Sequence, residues 1–154
     1  MTTIDTTNTE PTSGTPTSAD AIARYVIVNA WPDPTLEHCG HDAASNYVET
    51  FWLPILGPTS TWLYRRLVAG LDHHGGEPHD LDLVEMANWI GLGSSLSKNS
   101  ATTRSVERLE RFDIIRHIDH QLWVRPQLPQ LSPRLIRRLP ERLISWHDAW
   151  TAAA

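Results

Sequence analysis

The chain has 154 residues, 40% of them hydrophobic, with a formal charge of −5, a length that suits one core with tails and leaves little for a second. No apolar run approaches the roughly 20 residues of a bilayer span and the start lacks a secretion signal, so a soluble cytoplasmic protein with no membrane partner is expected; the single cysteine, Cys39, excludes an internal disulfide framework. The acidity argues against nucleic acid only until the charges are located, because residues 1–54 carry seven acids and one base whereas residues 98–142 carry ten bases and five acids.

Residues 1–19 are Thr-, Ser- and Pro-rich with almost nothing to bury, and a disordered tail is expected there. Residues 20–44 read as an N-terminal strand and linker. The β-branched and aromatic run Tyr25-Val26-Ile27-Val28 favours the strand, with a helix as the alternative, and Trp31-Pro32-Asp33-Pro34 forces an extended path. A domain over residues 45–126 opens with helical spacing of Tyr47, Val48, Phe51 and Trp52, which Pro54 interrupts. After Pro58 and the cap candidates Thr59 and Ser60, a second helix places Trp62, Leu63, Leu67 and Leu71 on one stripe and leaves Arg65 and Arg66 outside.

Asp82 then begins a short helix as N-cap, with Glu85 as capping-box partner and Leu83, Met86, Ala87 and Ile90 facing inward. After a Ser-rich turn, Asn99 or Ser100 caps a further helix over residues 102–112. Thr102, Val106, Leu109 and Phe112 form its inner stripe, and Arg104, Arg108 and Arg111 repeat the spacing about 200° away. Residues 114–118 and 122–125 are β-compatible and separated by Asp119-His120-Gln121, which predicts a hairpin. Residues 127–154 form a helical extension in which Leu135, Leu139, Leu143 and Trp146 pack back and Pro140 kinks or divides the segment. The fold class expected is mainly α with a small β-hairpin wing, a winged helix-turn-helix.

The wording agrees with that order. FWLPILGPTSTWLYRRLVAGL resembles the opening helices of bacterial winged helix proteins, including the DnaD N-terminal domain type, and LDLVEMANWIGLG followed by SVERLERFDIIRHI resembles the helix-turn-helix and first wing strand of MarR-like regulators. The chain also resembles a group of small actinobacterial helix-turn-helix proteins sharing the FWLPxLGP and RLxRF wording. The turn GLGSSLSKNS is longer than a minimal helix-turn-helix turn, and Asp113 stands where a glycine usually follows the recognition helix. The resemblance implies a winged helix that binds DNA, with the helix over residues 102–112 as its recognition helix.

Guanidinium groups on such a helix bind phosphate or take guanine edges, so Arg104, Arg108 and Arg111 head the candidate DNA contacts; Glu107, at helical spacing from Arg104 and Arg111, offers the competing reading of a salt-bridged surface. Lys98, Asn99 and Ser100 lie at the helix start, where they meet a phosphate or simply cap. Arg116, His117, His120 and Arg125 are the wing candidates, with an ordinary polar hairpin face as the alternative. His38, Cys39, His41, His73, His74 and His79 lack zinc-site spacing, so no metal or cofactor is expected. No nucleophile, phosphate-loop or paired-carboxylate pattern stands out, and no enzyme is expected. Trp52, Trp62 and Trp89 are assigned to the core; Trp146, Trp150 and Leu143 read as a dimer seam or as packing on the same chain. The function expected is a transcriptional regulator that binds double-stranded DNA, with a homodimer reading adjacent half-sites. The alternative is a non-enzymatic protein-interaction adaptor of transcription or replication machinery.

Overall fold

The computed structural model describes residues 22–154, and the tail expected over residues 1–19 lies outside the described residues. About half of what is described is helical, around a small mixed sheet, which agrees with the expected helical protein with a small β component.

The sheet is built around β1 (Tyr25–Ala30), whose Val26 and Val28 point into the core. That alternation settles the strand over the helix at this segment. β1 pairs antiparallel with β3 (His79–Asp82), in register from Tyr25↔Asp82 to Val28↔His79, and parallel with β5 (Gln121–Val124), from Ile27↔Gln121 to Ala30↔Val124. β4 (Ile115–Ile118) completes the order β3-β1-β5-β4 as the expected hairpin with β5. The hairpin is tight, and Asp119 takes a φ of 54° at its tip, a left-handed conformation that Asp tolerates better than most residues. β3 was not foreseen, because His-Asp-Leu-Asp has little strand preference. It forms as the second partner of β1, and its last residue then serves the next helix.

The expected linker contains a helix, α1 (Pro34–Cys39). Asp33 Oδ1 accepts from Thr35 N at 3.0 Å and Leu36 N at 3.4 Å, and Pro34 occupies the first turn, where its missing N–H costs nothing. β2 (His41–Asp42) pairs with β6 (Gln127–Leu128). Pro54 does not end the next helical segment. The backbone widens into a π-helical turn over Val48–Trp52, and Pro54 falls in the first turn of α2 (Leu53–Leu56). Gly57, at φ 80° and ψ 162°, turns the chain into α3 (Pro58–His73). α3 buries Leu63, Tyr64, Leu67, Val68 and Leu71, but Trp62 is 51% exposed, so the inner stripe runs through Tyr64 in place of Trp62. Arg65, assigned to the outside, lies half-buried and donates from Nε to the Ala43 carbonyl (2.9 Å) and from Nη2 to Glu49 (3.3 Å). Arg66 is exposed as expected.

α4 (Leu83–Trp89) is capped by Asp82, whose Oδ1 accepts from Val84 N at 2.9 Å, while Oδ2 lies 2.9 Å from Arg24 Nη2. The Arg24 hydrogen bond holds the Asp82 carboxyl below its ordinary pKa; burial opposes this, and the capped N–H groups add to it. Trp89 is 60% exposed at the end of α4, contrary to its core assignment, whereas Trp52 is buried and donates from Nε1 to the Pro129 carbonyl at 2.9 Å. α5 (Ala101–Arg111) leads into the hairpin, and the chain closes with α6 (Pro133–Ile136) and α7 (Glu141–Ala153), divided at Pro140. α7 packs on its own chain through buried His147, whose Nε2 lies 2.8 Å from the Tyr47 hydroxyl; that hydroxyl accepts from the Leu131 N–H at 2.8 Å. Trp150 meets Tyr47 and Phe51 edge-on, both at 5.9 Å, while Trp146 faces outward.

Candidate nucleic-acid interface

α5 is fixed from both sides. Ser100 Oγ caps it by accepting from Thr103 N at 3.1 Å, and Thr102, Val106 and Leu109 are buried to 2% exposure or less. The other hydroxyl side chains of the helix also turn inward: Thr103 Oγ1 donates to the Leu96 carbonyl (3.1 Å) and Ser105 Oγ to Thr59 Oγ1 (3.2 Å). Phe112 sits edge-on to Trp52 at 6.3 Å, and Asp113, at φ 60°, makes the left-handed turn expected of a glycine.

The outer face of α5 is Ala101, Arg104, Glu107, Arg108 and Arg111, and with Thr59, Ser60 and Ser105 these residues line a cavity of about 440 Å³ between α5 and the first turn of α3. Arg108 Nη1 donates to the Leu56 carbonyl at 3.0 Å. A Cβ on Gly57 would come 3.2 Å from that nitrogen. Among the described residues, no ion pair within 4.0 Å engages Arg104, Arg108, Arg111 or Glu107. The salt bridges weighed for Glu107 do not form, and the three guanidiniums face the cavity with their charge uncompensated by close contact.

The remaining candidates are dispersed. Lys98 and Asn99 are exposed in the turn before α5, outside the cavity lining, and the Ser100 hydroxyl is engaged by Thr103. Arg116 and Arg125 stand on the face of the sheet turned away from α5, against Trp31: their guanidinium carbons lie 4.4 and 3.8 Å from its ring centroid. Arg125 also donates to Asp33 Oδ2 (2.9 Å) and to the Asp113 carbonyl (2.7 Å), and Arg116 is 3.9 Å from Asp113. His117 lies half-buried on the inner face, its backbone N–H donating to Glu110 Oε1 at 3.1 Å, and His120 is exposed at the hairpin tip. The structure therefore brings together the three arginines of α5 and separates them from the hairpin cations.

The second wall of the cavity, Thr59 and Ser60, is not foreseen in the sequence, which marks both as caps of α3; Gly57 instead precedes α3 with no side-chain cap bond. It also missed Trp31, a linker residue in the sequence, which organises two arginines and, with Arg116, Ile118 and Trp123, lines a recess of about 160 Å³. His74 and His79 stack at 4.0 Å. Among the described residues, no three His, Cys, Asp or Glu side chains come together as a metal site, and no helix is long and apolar enough to cross a membrane.

From α3 to β5 the described residues run helix, strand, helix, helix, hairpin, within an α+β arrangement that carries an arginine-lined cavity on one side. The fold is similar to that of the primosome protein DnaB (residues 1–300) from Geobacillus stearothermophilus, with a TM-score of 0.56 and 14% identity over 86% of this chain and 51% of that one. The chain thus spans about half the length of its structural neighbour. Neither a family model nor a curated protein matches the sequence.

Proposed function

We propose that this chain is a DNA-binding protein of the winged-helix type, in which α3, β3, α4, α5 and the β4–β5 hairpin form the winged helix and the outer face of α5 meets double-stranded DNA. The observation that carries this reading is the set of three arginines without close ion-pair partners around one cavity, since guanidinium groups free of protein carboxylates are available to phosphate. The likeness in fold to a primosome protein supports a role in the replication machinery. Transcriptional regulation, the use expected from the sequence, was expected to rest on a homodimer whose α5 helices read bases in paired half-sites; the replication role needs neither. The protein acts by binding, without catalysis.

Fluorescence anisotropy with a labelled short duplex at low salt tests the reading. The double variant Arg104→Ala/Arg111→Ala is expected to weaken binding about tenfold or more, with an affinity that falls steeply as salt is added to the unsubstituted protein. A duplex that does not bind, or binds equally to the variant, overturns it. A second reading, the protein-interaction adaptor, is favoured by one observation: Ile118 and Trp123 are exposed on the outer sheet face beside Trp31 and Arg116, an apolar and aromatic patch of the kind found in protein interfaces.

A further inference from the structure

We infer that the cavity between α3 and α5 grips the phosphodiester backbone and does not read base sequence, an inference that rests on the DNA binding proposed above. Base reading in the major groove requires an element, a helix or a two-stranded ribbon, that protrudes into a slot about 12 Å wide. The outer face of α5 is instead one wall of a recess whose other wall is Thr59 and Ser60 of α3. A concave surface of this kind admits a strand of backbone and cannot insert between base edges.

The chemistry of the wall agrees with its shape. Of the residues of α5 suited to hydrogen bonding either base or backbone, Thr102 and Thr103 are buried in the fold and Ser105, at the cavity lining but 2% exposed, spends its hydroxyl proton on Thr59 Oγ1. Only three guanidiniums, one carboxylate and the methyl group of Ala101 remain outside. Arg108 is drawn to the floor of the cavity by its 3.0 Å bond to the Leu56 carbonyl, so part of its fork is committed before any ligand arrives and its reach toward a base edge is shortened. Arg104 and Arg111 flank it on the same lining. Together with Glu107 they leave the cavity with a surplus of positive charge, which attracts any phosphodiester whatever its sequence.

Glu107 makes the inference separable from base reading. A carboxylate that reads DNA accepts from the cytosine amino group, and its loss weakens cytosine-containing sites. A carboxylate beside bound phosphate repels it, and its loss strengthens binding to every sequence.

The test is anisotropy with the full chain, using three labelled duplexes of equal length and unrelated sequence and one single strand of the same length, each over a salt series. Dissociation constants are expected to agree within about threefold across the duplexes, and Arg104→Ala and Arg111→Ala should each reduce the salt slope by roughly one on all of them. Glu107→Gln should tighten binding by about fivefold on each duplex alike. The single strand identifies the source of the backbone: the same slope changes on it assign one strand to the cavity, and their restriction to duplexes assigns the duplex. A preference of about thirtyfold or more for one duplex, or a Glu107→Gln variant that reorders the sequences, overturns this inference and leaves DNA binding standing. Absence of binding to every probe overturns both. Arg104, Glu107 and Arg111 are exposed, and circular dichroism of each variant verifies that the fold is kept.

Discussion

Arg104, Arg108 and Arg111 of α5 and Arg116 and Arg125 of the hairpin are the same residue type in neighbouring stretches of chain, yet the fold uses them in opposite ways. The guanidinium of Arg125 is consumed by Asp33, by the Asp113 carbonyl and by the ring of Trp31, and Arg116 shares that ring. In α5 one nitrogen of Arg108 is committed, to a backbone carbonyl, and Arg104 and Arg111 face the cavity without a close acid. A count of bases along the sequence therefore overstates the charge available to a ligand. What matters is which donors the protein has already satisfied.

Three measurements bear on this contrast, in order of expected effect. Arg125→Ala removes the hydrogen bonds to Asp33 and Asp113 and should cost about 2–3 kcal/mol in urea unfolding, with DNA affinity little changed; a loss of affinity at unchanged stability would place Arg125 with the α5 group. Arg116→Ala, whose partner is 3.9 Å away with both side chains more than half exposed, should cost about 1 kcal/mol or less, again without a DNA phenotype. Acidification should act on the fold and spare the cavity. Burial, and then the nearby charge of His147, push the pKa of His41 down despite the opposing effect of Asp42, so below its ordinary 6.5 the unfolded chain holds the extra proton. This contribution to stability is full above that pH and is lost as the pH falls through the folded-state value. The melting temperature should hold level above about pH 6.5 and fall as the pH is lowered below it, less so in His41→Gln, while DNA affinity stays level because arginine remains charged and the cavity lining contains no histidine.

Much of α5 was legible because its signals are local. The Ser100 cap, the inner stripe of Thr102, Val106 and Leu109, and the outward arginines all follow from helical spacing. β1, with a helix as the alternative, and the hairpin were legible from short runs of β-branched and aromatic residues. The misreadings arose where tertiary partners decide. Trp62 fits the apolar stripe of α3, but Tyr64 takes the inner position and donates its hydroxyl to the Arg125 carbonyl at 2.9 Å. β3 exists only as a neighbour of β1, far earlier in the chain. α1 is a different case, since Asp33 followed by Pro34 is a helix-start signal that the surrounding prolines caused to be read as linker. Of the candidate site, the three arginines were legible; the tether of Arg108 to Leu56 and the wall formed by Thr59 and Ser60 depend on how α3 meets α5.

Gly57 ties that meeting to a single backbone torsion. Its φ of 80° with ψ 162° belongs to a region that essentially only glycine occupies, and the same residue lies between the carbonyl that holds Arg108 and the helix that forms the opposite wall. One peptide unit thus acts as a joint, setting both the depth of a charged side chain and the width of the slot it serves. Any side chain at this position would reshape the arginine-lined cavity without replacing a single residue that lines it.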